Sequence, residues 1–255
     1  MKLDDLKKLH QKKYRTQFGY YLVEGEHLVL ELQKASRSQA HLQNLEVYIT
    51  SAHQAWAEQL SSSFKVIELN QKQMAQISDT KTPQGIVALA PLPKAPIATS
   101  ILAKEQNAAS SKAMRSIYLH EVQDPGNLGT ILRTLAWFGN FRLLLSPNSV
   151  DPYNSKVVRA SMGAIFHVPL EQDVTLEELQ SRHQHFAFLD MQGSSIKSSQ
   201  FAEHDCYLFG NEARGVPTEA LAACNAVPYT IAGSGIIDSL NLASAVNICV
   251  YELSA

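Results

Sequence analysis

Cysteine is scarce in this chain. The three present, Cys206, Cys224 and Cys249, stand far apart in apolar surroundings and form no C-x-x-C pair, which excludes a disulfide framework and leaves buried, reduced thiols. Of the nine histidines, only His183 and His185 are close together, without a further ligand at metal-site spacing, so no metal is expected. Long apolar runs are also missing. Residues 240–253 are interrupted by Asn241, Ser244, Asn247 and Glu252 and fall short of the roughly 18 consecutive apolar residues of a membrane span. The first residues are charged and lack the apolar centre of a signal peptide. A cytoplasmic protein with no membrane partner is the expectation. A net charge of −2 excludes a surface that is basic all over. No G-x-G-x-x-G follows a strand, no G-x-x-x-x-G-K-[ST] occurs, and His120-Glu121 does not continue as H-E-x-x-H. A nucleotide-dependent enzyme on an ordinary doubly wound sheet therefore lacks its phosphate loop.

What is present is the composition of a globular protein, 45% hydrophobic and 18% charged, and 255 residues suffice for two domains. Helical and strand patterns alternate over the first ninety residues and predict a small α/β domain, residues 1–91, with helices near 52–61 and 71–77. Residues 92–113 are rich in Pro, Ala, Ser and Lys and read as a linker, with a short helix near 101–105. Residues 114–255 form the second unit, with strands expected at 117–122, 142–145, 165–168, 186–190, 207–209 and 227–231. Continuous rather than alternating apolar strands imply a parallel sheet covered on both faces. The first fifteen residues carry four net positive charges from Lys2, Lys7, Lys8, Lys12, Lys13 and Arg15 against Asp4 and Asp5. Such a stripe, followed by Tyr14, Phe18, Tyr20 and Tyr21, suits either an RNA backbone or a plain solvated helix face.

Three polar turns follow apolar strands. In the first, Pro125-Gly126 breaks a strand, Asn127 is a candidate helix cap, and Ile131, Leu132, Leu135, Ala136 and Phe138 recur at helical spacing. Arg133 lies six residues past that cap, and ligands of open α/β sheets bind outside the carboxyl ends of the strands. A capped βα corner with no further role explains the same residues. The second turn, residues 210–217, sets Glu212 between Gly210 and Gly215, where Glu212 could also serve only the start of a helix near Pro217. The third, residues 229–241, leads into an apolar helix suited to burial against a partner. Ser239 or Asp238 can be its cap, whereas Asn241 in a first turn calls for a task for its amide.

In this order the three turns resemble the motifs of the SpoU family of RNA ribose 2′-O-methyltransferases, within the SPOUT superfamily. N-x-G-x-x-x-R-T is matched by Asn127, Gly129, Arg133 and Thr134; G-x-E-x-x-G by Gly210, Glu212 and Gly215; and S-L-N by Ser239, Leu240 and Asn241. Arg159, Ser161, Gly163 and Ala164 are similar to the family's R-x-S-x-G-A segment. The first domain resembles, through Val23-Glu24-Gly25 and Thr82-Pro83-Gln84-Gly85, the L30e/L7Ae-like substrate-binding domain of many members.

The resemblance implies an α/β fold with a C-terminal parallel sheet threaded into a trefoil (SPOUT) knot, and a smaller N-terminal L30e-like α/β domain. It implies S-adenosyl-L-methionine (AdoMet) as cofactor, held around Leu208, Phe209, Gly210, Ile231, Gly233, Gly235 and Leu240. It implies RNA as substrate, ribosomal rather than transfer RNA; the candidate contacts are Lys12, Lys13 and Arg15 of the basic stripe and Arg159 of the R-x-S-x-G-A segment. A homodimer through the knotted domain would complete the site. Arg133 would activate the ribose hydroxyl, either as base or as an electrostatic clamp, with Asn127, Glu212, Ser239 and Asn241 holding the reactants in register. The chain departs from the family at Ile231-Ala232-Gly233, where Ile-Pro-Met is usual, and this loosens the loop. The rival reading is a non-catalytic RNA-binding or ribosome-assembly factor on the same fold.

Overall fold

The computed structural model describes residues 1–93, 114–237 and 239–254. The chain divides into two compact units, Met1–Lys94 with Asp151–His167, and Ala95–Val150 with Val168–Ala255. Nearly all of the expected linker, including its helix near 101–105, lies outside the described residues, as does Asp238.

The first unit opens with α1 (Leu3–Lys8) and α2 (Lys12–Phe18), then β1 (Tyr20–Glu24), α3 (Glu26–Ser36), β2 (Leu45–Ile49), α4 (Gln54–Ala57), β3 (Phe64–Glu68), α5 (Gln71–Ile77) and β4 (Ile86–Pro91). The helix expected near 52–61 is a 3-10 turn at Ser51–His53 followed by the four residues of α4. The sheet order is β1-β4-β2-β3, with β4 antiparallel to both neighbours and β2 parallel to β3. Leu6 and Leu9, Met74 and Ile77, and Leu22, Tyr48, Val87 and Leu89 of the sheet close into one apolar cluster.

The segment Asp151–His167 belongs to this unit because its side chains are committed to it. The Arg15 guanidinium donates to Asp151 and, at 2.7 Å, to the Leu9 carbonyl. Tyr153 packs on Tyr21 with ring centroids 5.0 Å apart, and Gln39 donates to the Phe166 carbonyl at 2.6 Å. The segment contains α7 (Ser155–Ala160), capped by the Asn154 side chain. Ser155 donates to Asp79, and Arg159 lies 3.4 Å from Asp79 and 4.0 Å from Glu24. Burial raises the Asp79 carboxyl, but the Ser155 bond and the Arg159 charge outweigh it and hold the group below the ordinary range. The strand expected at 165–168 is instead a 3-10 turn, Ala164–Phe166. Its entry residues Met162 and Gly163 have φ of 50° and 93°, incompatible with extended backbone, and a Cβ on Gly163 would come 2.7 Å from Glu31.

The second unit is a six-stranded sheet ordered β10-β8-β9-β5-β6-β7, parallel at every pairing. The strands are β5 (Arg115–Leu119), β6 (Phe141–Leu145), β7 (Leu170–Glu171), β8 (Phe186–Ser195), β9 (Cys206–Phe209) and β10 (Ala226–Thr230), and the helices are α6 (Pro125–Phe138), α8 (Leu176–Arg182), α9 (Thr218–Leu221) and α10 (Leu242–Ser254). Ile117, Tyr118, Leu119, Tyr207 and Leu208 in the two central strands are fully buried, as continuous apolar strands require. α10 packs beside α6, where the Thr134 hydroxyl donates to Asn247 at 2.5 Å and Phe138 meets Tyr251 edge-on. No helix among the described residues is long and apolar enough to cross a membrane.

Arg15 and Asp151 are nearly buried, with side chains 5% and 11% exposed. Asp151→Ala leaves the cation without its counter-charge and is expected to cost about 3–5 kcal/mol. Urea denaturation measures it, and the double variant Arg15→Met/Asp151→Ala is expected to recover much of the loss.

Candidate active site

After β5 the chain steps outward to β6 and β7, and β8, β9 and β10 lie on the opposite side, so β5 and β9 flank the point where strand order reverses. A crevice at the carboxyl ends of the strands follows from that topology. The structure has a cleft of about 810 Å³ there, lined from the first turn by Gln123, Asp124 and Asn127, from the second by Phe209 to Val216, and from the third by Ile231, Ser239, Leu240 and Asn241.

Asp124, not Asn127, caps α6. Its carboxylate accepts from the Asn127 amide at 2.7 Å, and Pro125 occupies the first helical position, where no amide hydrogen is needed. Asn127 is thereby inside the first turn, and its side chain is free to point outward. Glu212 accepts from the backbone amides of Gln123 and Asp124 and from the Asn127 side-chain amide, each at 3.3 Å. The Asn127 carbonyl oxygen in turn accepts from the Asn241 side chain at 2.9 Å. Asn241 is the cap of α10, since its oxygen accepts from the Ser244 amide at 3.3 Å. One chain of bonds therefore joins all three turns, and Glu212 serves the first turn rather than the helix after Pro217.

The second turn is a closed knuckle. Asn211 and Gly215 exchange both backbone bonds at 2.9 Å, and the Asn211 side chain accepts from the amides of Ala213 and Arg214. A Cβ on Gly210 would overlap the Gly215 carbonyl, so no other residue fits without moving the turn. At the end of β5, His120 has a buried Nδ1 without a hydrogen-bond partner among the described residues, and burial lowers its pKa from the usual histidine value. His120 is not among the residues lining the cleft.

The expected site residues divide. Asn127, Phe209, Gly210, Glu212, Ile231, Ser239, Leu240 and Asn241 line the cleft. Leu208 is fully buried in β9, and Gly233 and Gly235 are exposed on the third loop with open space around them. Arg133 is outside the cleft of its own chain, contrary to the expectation from its place after the turn. Six residues past Asn127 carry it about 9 Å along the helix and roughly 240° around it, onto the solvent side with Trp137. It is exposed and makes no hydrogen bond or ion pair with a described residue. Arg15 and Arg159 are not free RNA contacts, being committed to Asp151 and to Asp79 and Glu24. Lys12 and Lys13 are exposed, with Lys13 5.7 Å from the Tyr14 ring centroid.

Sequence reading missed Leu189, Asp190 and Met191, which form one wall of the cleft. Ala226 to Pro228 pair with residues 186–188, but Tyr229 and Thr230 pair with Ser194 and Ser195, so the intervening residues of β8 bulge out. The legible signal was Gly193 within a strand: a Cβ there would come 2.6 Å from Pro228 backbone atoms.

An all-parallel sheet with a cleft over its strand-order reversal, lined by three cross-linked loops, defines an α/β protein with a small-molecule site at the topological switch point. Residues 114–251 match the SpoU rRNA Methylase family and residues 2–88 the MRM3-like substrate binding domain. The chain belongs to the SpoU rRNA methylase family. It is 29% identical to the 23S rRNA (guanosine(2553)-2′-O)-methyltransferase RlmP of Bacillus subtilis, over 99% of this chain and 95% of that one. Among solved structures it is similar to a TrmH-family protein of Porphyromonas gingivalis, with TM-score 0.78, 29% identity and 98% and 96% of the two chains covered. It is also similar to an AdoMet-bound rRNA methyltransferase of Sinorhizobium meliloti, with TM-score 0.76, 25% identity and 98% and 93% covered.

Asn241→Ala removes both the helix cap and the tie to Asn127 and is expected to destabilise the protein by about 1–2 kcal/mol. Asn241→Asp keeps the cap while losing the donated bond, so thermal unfolding should recover only part of the difference.

Proposed function

We propose that this protein transfers a methyl group from AdoMet to a ribose 2′-hydroxyl of ribosomal RNA. The observation that carries the reading is the convergence of Asn127, Glu212, Ser239 and Asn241 from three separate loops on one cleft, in a chain of the SpoU family. The cleft suits the cofactor in size and chemistry. Phe209, Val216, Ile231 and Leu242 offer apolar surface, and Asp124, Asp190 and Glu212 offer negative charge to a cationic ligand. When bound, AdoMet supplies the activated methyl group.

The chain's own residues supply position and charge. Glu212 and Asn127 hold the first and second turns in one geometry, and Ser239 and Leu240 present the third, so that the bound reactants meet without reorganisation. Arg133, which makes no hydrogen bond or ion pair with a described residue, binds the target ribose and its phosphate, stabilising negative charge as the hydroxyl gives its proton to water.

Arg133 reaches a cleft through a second copy of the chain. α6 and α10 expose Trp137 at 84%, Tyr251 at 65% and Ile248 at 39%, beside Phe138, an apolar face of the kind that marks an interface. Trp137 is one turn beyond Arg133, so a homodimer through this face carries Arg133 toward the partner's cleft. The C-terminal segment is threaded as a trefoil knot; in support, the chain runs from edge strand β10 back across the strand ends to α6. RNA is held in the first unit by Lys12 and Lys13, beside Tyr14 and Phe18, whose ring centroids are 6.0 Å apart. The protein acts in the cytoplasm.

Mapping 2′-O-methyl positions in total RNA with and without the gene tests the function; loss of a methyl from a ribosomal RNA ribose is expected, and an unchanged map overturns it. Arg133→Ala is expected to lower methyl transfer about 10²–10⁴-fold, with AdoMet binding by calorimetry nearly intact. Trp137→Glu is expected to yield a monomer in sedimentation velocity and to abolish transfer.

A further inference from the structure

Among the described residues lining the cleft, Arg214 is the only cation, against the three carboxylates of Asp124, Asp190 and Glu212. Its backbone is fixed, because its amide donates to the Asn211 side chain at 3.1 Å inside the closed Asn211–Gly215 knuckle. Its side chain is 68% exposed and has one partner among the described residues, the Glu121 carboxylate. Glu121 cannot follow it. Its amide donates to Ser146 at 2.7 Å, its carbonyl accepts from Asn211 at 2.6 Å and Gln123 at 3.1 Å, and its second carboxylate oxygen accepts from Asn148. Its φ of 50° is unusual for a residue with a side chain and is held by those bonds. A rigid carboxylate thus parks a flexible guanidinium at the mouth of the cleft, through an ion pair of the exposed kind that holds weakly.

We infer that Arg214 is an RNA-phosphate contact of the methyl-transfer site, parked on Glu121 in the free protein and handed to a backbone phosphate when RNA arrives. The inference rests on the function proposed above. The charges favour phosphate over the cofactor's carboxylate. Three carboxylates line a cleft read as holding a cationic cofactor, whereas the one arginine is at the exposed rim, where a polyanion approaches from solvent. The planar fork of a guanidinium fits two phosphate oxygens at once. With a net charge of −2, the chain has no general field to draw RNA in, so individual placed cations must do it.

The test uses the full-length protein, AdoMet, and 16S and 23S rRNA transcribed in vitro. In filter binding between about 50 and 300 mM KCl, Arg214→Gln is expected to weaken RNA binding and to reduce the slope of log K against log salt by about 0.7–0.9, the value of one phosphate contact. Arg214→Lys should restore the slope, and Glu121→Gln, which frees the arginine, should tighten RNA binding. AdoMet affinity by calorimetry should be unchanged in Arg214→Gln, which also reports that the variant is folded. An unchanged slope in Arg214→Gln overturns the inference, as does weaker AdoMet binding with RNA binding intact, which would assign Arg214 to the cofactor. Weaker RNA binding by Glu121→Gln overturns the parking role. A wild-type protein that binds AdoMet but neither RNA defeats this inference and the proposed function together, whereas an unchanged slope defeats this inference alone.

Discussion

The Glu212 carboxylate is the constraint on which the site depends. It accepts from two consecutive backbone amides at the start of α6 and from the Asn127 side chain, and so sets the distance between the loops that follow β9 and β5. Those amides belong to a turn and a helix start, where backbone donors have no partner within their own element. Asn127, fixed by that contact, passes the constraint to Asn241 and hence to α10. A single acceptor thus converts three flexible loops into one surface.

The same knuckle is tied on its other side through Arg214 and Glu121, so its two charged side chains pull in opposite senses on one loop, residues 121–124. This arrangement explains the glycines at its base. Gly210 has no room for a Cβ against Gly215, and the close approach lets a five-residue loop carry Glu212 inward and Arg214 outward. Charge elsewhere is spent structurally. Arg15 and Arg159 satisfy Asp151, Asp79 and Glu24 within the first unit, and that is why Asp151–His167 packs there although the SpoU sequence match runs through it.

Much of the fold was legible. Continuous apolar runs around Tyr118, Leu144 and Leu208 announced buried parallel strands, and the alternation of elements announced an α/β architecture. Where local pattern misled, a backbone or tertiary condition overrode it. Residues 165–168 look like a strand because Ile165, Phe166 and Val168 are apolar, but the positive φ at Met162 and Gly163 turns the chain into a 3-10 turn. Asn127 has the composition of a cap, but Asp124 with Pro125 behind it takes the position first. The wall formed by Leu189, Asp190 and Met191 left only Gly193 within a strand as its trace in the sequence, because a bulge is defined by the pairing partner's register and not by the residues that bulge.

By itself the sequence determined which residue types are available and in what order. It placed an amide, a carboxylate, a serine and a second amide in turns after buried strands, in a pattern that matches one family. Only the tertiary structure decided what each does. Glu212 became a cross-link rather than a helix-start charge, Asn241 a cap and a tie at once, and Arg15 a buried counter-ion rather than a surface contact. Arg133 was carried out of its own chain's cleft onto an exposed apolar face. The physical reason for the three cross-links is shared: a charged or amide group is defined by the partner it meets, and Asn127 for Glu212, Asn127 for Asn241 and Asp151 for Arg15 lie 85 or more residues away, where spacing along the chain carries no information.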